Sequence, residues 1–228
     1  MYPSLAIECT DKISSIAISK GEEVWQVEQG SEQRQAKNIL SLVDQCLAKA
    51  KLDKTLLRSI CWASGPGSFT GLRIGTAVSQ GLAYALNLPL VAVSSLEAMA
   101  TSVMADMEGE GTILTISDAH MGEYYWATFG YSGKNRSLVR TSDDSLTKLE
   151  EVLLSKNTVL AVGNAANRLQ TANIVKKINH SPMRAKHLFG LAEISFDAGD
   201  QISAMQAEPA YLRSKSAWKT LEQQRGQS

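Results

Sequence analysis

Apolar residues follow two different periods along this chain. Between Leu5 and Val27 they sit in short β-prone runs, Leu5 to Ile7, Ile13 to Ile18 and Val24 to Val27, separated by Glu8-Cys9-Thr10-Asp11-Lys12 and by Gly21. Such runs predict a three-stranded meander. From Glu32 to Ala50 the spacing lengthens to three and four, with Ala36, Ile39, Leu40, Val43, Cys46, Leu47 and Ala50 on one stripe, which predicts a helix. A buried strand at Ser59 to Ala63 comes next, then a helix reaching Leu86, a strand at Leu88 to Val93, and a helix from Ser94 or Ser95 to about Met107. The order β-β-β-α-β-α-β-α makes a mixed sheet with helices on both faces.

The pattern restarts after the small, polar Glu108-Gly109-Glu110-Gly111. Thr112 to Ser117 and the alternating, aromatic-rich Glu123 to Tyr131 predict a hairpin turning at Asp118-Ala119-His120-Met121-Gly122. Leu146 to Leu154 reads as a helix, Thr158 to Val162 as a strand and Leu188 to Ala198 as a helix. The second half thus reads as a degenerate copy of the first, with lobes at 1–108 and 109–228. The fold class is α/β, two lobes of the ribonuclease-H-like, actin-like (ASKHA) kind with mixed sheets flanked by helices.

Between the strand at 59–63 and the next helix lies Ser64-Gly65-Pro66-Gly67-Ser68-Phe69-Thr70-Gly71-Leu72-Arg73-Ile74-Gly75. Ser68 and Thr70 are both N-cap residues, their hydroxyls matched to the unpaired amides of a first helical turn. Gly71, Gly75 and Ser79 recur every four residues and so share a helical face thin enough for close approach.

The charge balance, 23 Lys and Arg against 23 Asp and Glu in 228 residues, provides no net field toward nucleic acid or an anionic membrane. Three scattered cysteines in apolar settings, Cys9, Cys46 and Cys61, predict reduced core thiols and a cytosolic compartment. No leader-like N-terminus and no run of membrane-spanning length is present in the sequence.

The chemistry tested against these motifs is mostly excluded. A phosphate-binding loop needs Lys then Ser or Thr after its last glycine, whereas Leu72-Arg73 follow Gly71. The hydrolase elbow needs glycine two residues either side of the serine, and Ser68 has Pro66 and Thr70 there. Actin-like ATPases hold phosphates in two glycine-rich hairpins; the counterparts are Glu8 with Thr10 and Asp118 with Gly122, and bulky Lys12, His120 and Met121 crowd both. His120, His180 and His187 lack a metal-ligand spacing. No cofactor or metal is expected.

The stretch Ser64 to Gly75 resembles the signature of the bacterial TsaB (YeaZ) family. Asp118 to Ala127 is similar to that family's second hairpin, and Glu208-Pro209-Ala210-Tyr211-Leu212-Arg213 with Ala217-Trp218-Lys219 to its C-terminal motif. The resemblance spans essentially the whole chain. It implies a non-catalytic subunit in the making of threonylcarbamoyladenosine, the modification at N6 of the adenosine 3′ of the anticodon in tRNAs reading codons that start with A. It further implies TsaD as catalytic partner, bound through helices, TsaE as an associated ATPase, a possible homodimer, and tRNA met only through the complex. By the same resemblance the partner surface draws on Ile39, Leu40, Val43, Leu47, Gly71, Arg73, Gly75, Ser79 and Leu82, and Gly75→Leu is expected to block pairing while leaving the fold intact. Departures are Glu8-Cys9-Thr10 in place of an aspartate-threonine pair, Gln35 where a histidine is common, and His120 where arginine is usual. The alternative is an enzyme of the same fold, kinase-like or glycopeptidase-like, with its own nucleotide or metal site.

Overall fold

The computed structural model describes residues 2–30, 35–152, 158–172, 177–179 and 183–213. Strands β1 (Ser4–Glu8), β2 (Ile13–Lys20) and β3 (Glu23–Gly30) form the expected meander, with Ile7 opposite Ile16 and Ile16 opposite Val27. Helix α1 (Gln35–Ala50) crosses to β4 (Ser59–Gly65), parallel to β1, and α2 (Phe69–Leu86) crosses to β5 (Leu90–Ser94), parallel to β4. The sheet order is β3-β2-β1-β4-β5.

Strand alternation divides this sheet into a bulky face and a thin one. Leu5, Ile7, Ile16, Ile18, Ile60, Trp62 and Leu90 meet the apolar stripe of α1 and the inner side of α2. Each large side chain so buried stabilises the fold by about 1.5–3 kcal/mol relative to exposure. Ala6, Ala17, Cys61, Ala63, Val91 and Val93 make the opposite face.

After α3 (Ser95–Thr101), whose N-cap Ser94 accepts from Glu97 N at 3.3 Å, the second sheet repeats the scheme. It comprises β6 (Glu110–Asp118), β7 (Glu123–Ser132), β8 (Ser137–Arg140), β9 (Ser145–Lys148), β10 (Thr158–Val162) and β11 (Lys177–Asn179). Its order β8-β7-β6-β10-β11, antiparallel in the meander and parallel at β6-β10-β11, copies the first sheet strand for strand. The molecule is therefore two actin-like lobes, each a mixed sheet flanked by helices. Helix α3 lies between them, its Leu96, Met99 and Ala100 buried with Ile113, Ala127 and Phe129 of the second sheet.

Three differences from the sequence reading stand out. The helix expected at Leu146 to Leu154 is β9 followed by a 3₁₀ turn at Leu149–Glu151, and 153–157 lie outside the described residues. Strand β9 pairs with Glu123–Trp126, and Thr147 accepts from Trp126 Nε1 at 3.0 Å, so edge pairing overrides local preference. The helix expected to reach Met107 stops at Thr101, ahead of a 3₁₀ turn at Met104–Asp106. Finally, residues 183–192 return to the first lobe. Met183, Ala185, Leu188, Phe189 and Ala192 cover its thin face, the last two from α4 (Phe189–Ala198). The start of the first helix at Glu32, His180 and the Ala217-Trp218-Lys219 motif lie outside the described residues.

Candidate functional site

A cleft of about 530 Å³ separates the lobes, lined by Thr10 to Lys12, Gly67 to Thr70, Ser117 to His120 and Ala210, Tyr211 and Arg213. Its walls are the β1–β2 turn, the start of α2, the β6–β7 turn and the C-terminal segment. The glycines of the central motif explain how the first two fit together. A Cβ on Gly71 would lie 1.8 Å from the Cys9 carbonyl oxygen, and one on Gly67 would lie 2.7 Å from Thr10. Ser68 caps α2, accepting from Gly71 N at 3.3 Å, while its own amide donates to the Thr10 carbonyl at 2.9 Å. The motif thus seats α2 directly on the first turn.

That turn is closed from within by Glu8. The side chain is fully buried, and its Oε1 accepts from the Thr10 amide, from Thr10 Oγ1 at 2.6 Å and from the Asp11 amide at 3.2 Å. Oε2 has no partner. Burial pushes the carboxyl up to about 7, against the opposing pull of its bonds from Thr10. Ser95 Oγ of α3 donates to Thr10 Oγ1 at 3.1 Å.

The second turn is satisfied in the same manner. Asp118 Oδ1 accepts from the His120 amide at 2.7 Å, and Asn164 Oδ1 accepts from the Asp118 amide at 2.9 Å and from Ser117 Oγ at 3.3 Å. The Thr10, Asp11, Asp118 and His120 amides, which could face a phosphate in an actin-like cleft, are held here by the chain's own side chains.

Other reactive groups are muted. Burial pushes Cys9 and Cys61 up to about 12 and Cys46 up to about 11, so all three remain thiols. His187 is pushed down to about 4 by burial and by Lys186 and Arg184, and its Nδ1 accepts from the Arg184 amide at 3.1 Å. Among the described residues no three His, Cys, Asp or Glu side chains gather into a metal site.

The structure sorts the residues assigned to a partner surface into two groups. Ile39, Val43 and Leu47 are buried in the first lobe's own core, and Gly71, Gly75 and Ser79 are buried on the inner side of α2. The small-residue stripe is therefore turned inward, with Gly71 and Gly75 against Cys9 at the end of β1, and a leucine at Gly75 would be driven toward Cys9. Leu40, 56% exposed, and Arg73 remain accessible, with Leu82 half-buried. The outer face of α2 is a second stripe, Arg73, Ala77, Gly81 and Tyr84, all exposed at three- and four-residue spacing. A Cβ on Gly81 would meet nothing within 4 Å, and Tyr84 is 74% exposed. The same periodicity that singled out the inner stripe could have found this one.

The family model described as TsaD, tRNA N6-adenosine threonylcarbamoyltransferase, matches residues 29–216. The tRNA threonylcarbamoyladenosine biosynthesis protein TsaB of Haemophilus influenzae is 29% identical over 95% of this chain and 96% of its own, and that of Escherichia coli is 29% identical over 80% and 82%. YeaZ from Pseudomonas aeruginosa superposes with a TM-score of 0.80 at 25% identity, over 93% of this chain and 100% of its own. The two-lobed topology, the motif that seats α2 on the first turn and these matches together place the chain in the TsaD (tRNA N6-adenosine threonylcarbamoyltransferase) family, among its TsaB (YeaZ) proteins.

Proposed function

We propose that this protein is a non-catalytic subunit in tRNA threonylcarbamoyladenosine synthesis, activating TsaD by binding it and working alongside TsaE. The observation that carries the reading is Glu8. An internal carboxyl group takes the three donors of the turn that an actin-like ATPase would aim at phosphate, so in this reading the first turn is not a phosphate cradle. The names of the TsaB relatives supply the pathway. No nucleotide, cofactor or metal is then required by this chain, tRNA is met through the complex, and the working compartment is the cytoplasm. Among the described residues no helix is long and apolar enough to cross a membrane.

The docking surface in this reading is the outer stripe of α2 with Leu40 of α1. Ala77 and Gly81 form a shallow strip flanked by Arg73 and Tyr84, a shape that lets a partner helix approach closely. The same surface could pair two copies of this chain when TsaD is absent.

The test is to deplete the protein in its host and quantify threonylcarbamoyladenosine in digested tRNA by mass spectrometry. Loss of the nucleoside, restored by re-expression, is the expected result. An unchanged level, in a host without a second copy, overturns the reading. Nucleotide turnover by the purified chain would turn it toward the enzyme alternative.

A further inference from the structure

Residues 202–213 run back along the first lobe before one side chain crosses to the second. Ile202 bridges Leu90, and Ala204 and Ala207 enter the core beside α2. Gln80 Nε2 donates to the Ala204 carbonyl at 2.8 Å, and the Ala210 amide donates to the Ser64 carbonyl at 2.7 Å. Tyr211 is fixed on α2, its hydroxyl accepting from Arg73 Nε at 3.0 Å and its ring centroid 5.9 Å from that of Phe69.

Two residues later Arg213 reaches the β6–β7 turn. Its guanidinium pairs with Glu123, donates to the Ala119 carbonyl at 3.1 Å and lies 3.5 Å from Met121 Sδ. The turn has reason to need this hold. His120, Met121 and Gly122 stand at φ +64°, +57° and +75°, a region that side chains other than glycine enter only against a steric penalty. The Arg213 side chain is 12% exposed and that of Glu123 30%, so the pair is screened less than one between fully exposed side chains.

We propose that Arg213 is a latch that sets the width of the interlobe cleft, tying the turn of the second lobe to a segment rooted in the first. Tyr211 and Arg213 both line the cleft, so the latch closes over the space it controls. With the latch released, the lobes stay joined through the packed face of α3, and the β6–β7 turn is free to swing outward.

Spin labels at Lys12→Cys and His120→Cys, on opposite walls of the cleft, report its width, because the native cysteines Cys9, Cys46 and Cys61 are buried and escape labelling. Arg213→Ala is expected to lengthen and broaden the measured distance. Hydrogen exchange at Ala119 to Glu123 should rise about tenfold or more, as local opening allows, while amides in β1 and β4 keep their protection. Glu123→Gln should act in the same direction, and the double variant should add little to either single one. An unchanged distance and unchanged exchange in Arg213→Ala overturn the latch. So does a rise in exchange throughout the first lobe, which would make Arg213 a general folding contact, and so does full additivity in the double variant.

Discussion

Glu8 is a carboxyl group buried without a cation, and its environment makes a pH prediction with a definite sign. Its folded value is raised from 4.5 to about 7, first by burial, so between those values the folded chain holds the proton more tightly than the unfolded one. Stability from this group is then greatest at acid pH and declines as pH rises through 7, by on the order of 3 kcal/mol at full effect. Glu8→Gln keeps an oxygen for the Thr10 and Asp11 donors and removes the charge. Its stability relative to the native chain is expected to increase from pH 5 to pH 8.5 in urea titrations, and parallel pH profiles for the two proteins would refute the assignment. Comparing the pair cancels His187, whose lowered value acts on the acid side and in the opposite sense. The sequence reading marked Glu8 as a possible phosphate-site residue; nothing in spacing alone could show that its carboxylate would fill that role against its own turn.

Helix α2 carries its glycines on two faces with different jobs. A Cβ on Gly71 would collide with the Cys9 carbonyl, one on Gly75 would stand at ordinary contact distance from Cys9 Cβ, 3.6 Å away, and one on Gly81 would meet empty space. Gly71→Ala is therefore expected to cost several kcal/mol, because backbone must move rather than a flexible side chain. Gly75→Ala should be tolerated or gain up to about 1 kcal/mol from helix propensity, whereas Gly75→Leu overpacks the Cys9 contact at about 1–3 kcal/mol or more. Gly81→Phe should leave the melting temperature nearly unchanged and, on the function proposed above, prevent pairing with TsaD in light scattering. Equal stability of the two alanine variants would refute the two-face description, and intact pairing of Gly81→Phe would remove the outer stripe from the interface. Elements with their own period, β1 to β3 and α1, were legible because alternation and a 3.6-residue stripe are properties of each segment alone. Strand β9 was not, since Ser145 to Lys148 becomes a strand only by pairing with β7, and the inward turn of the small-residue stripe of α2 was not, because periodicity locates a face without saying what covers it.

At the scale of the molecule, the repeated sheet order shows two copies of one design, and the C-terminal return shows that the copies are not built alike. The first sheet's thin face, Ala6, Ala17, Cys61, Ala63, Val91 and Val93, has too little bulk to protect itself, and its cover arrives only after the whole second sheet, from Met183, Ala185, Leu188, Phe189 and Ala192. The Ala185 amide also donates to the buried Ser15 Oγ at 2.8 Å. A block division at 108/109, natural from the sequence, leaves this face open, because small alternating residues carry no signal of their distant partner. Burying Met183, Leu188 and Phe189 at about 1.5–3 kcal/mol each is comparable with a domain's net stability of about 5–15 kcal/mol. Two truncations separate this cover from the latch segment that follows it. A chain ending at residue 182 is expected to lose cooperative unfolding of the first lobe and to bind a hydrophobic dye. One ending at residue 201 keeps α4, loses Ala204, Ala207, Tyr211 and Arg213, and should still melt cooperatively, several degrees lower. If the chain ending at 182 melted as cooperatively as the one ending at 201, the first lobe would be self-sufficient, and the return of the C-terminal segment would be decoration on a finished core.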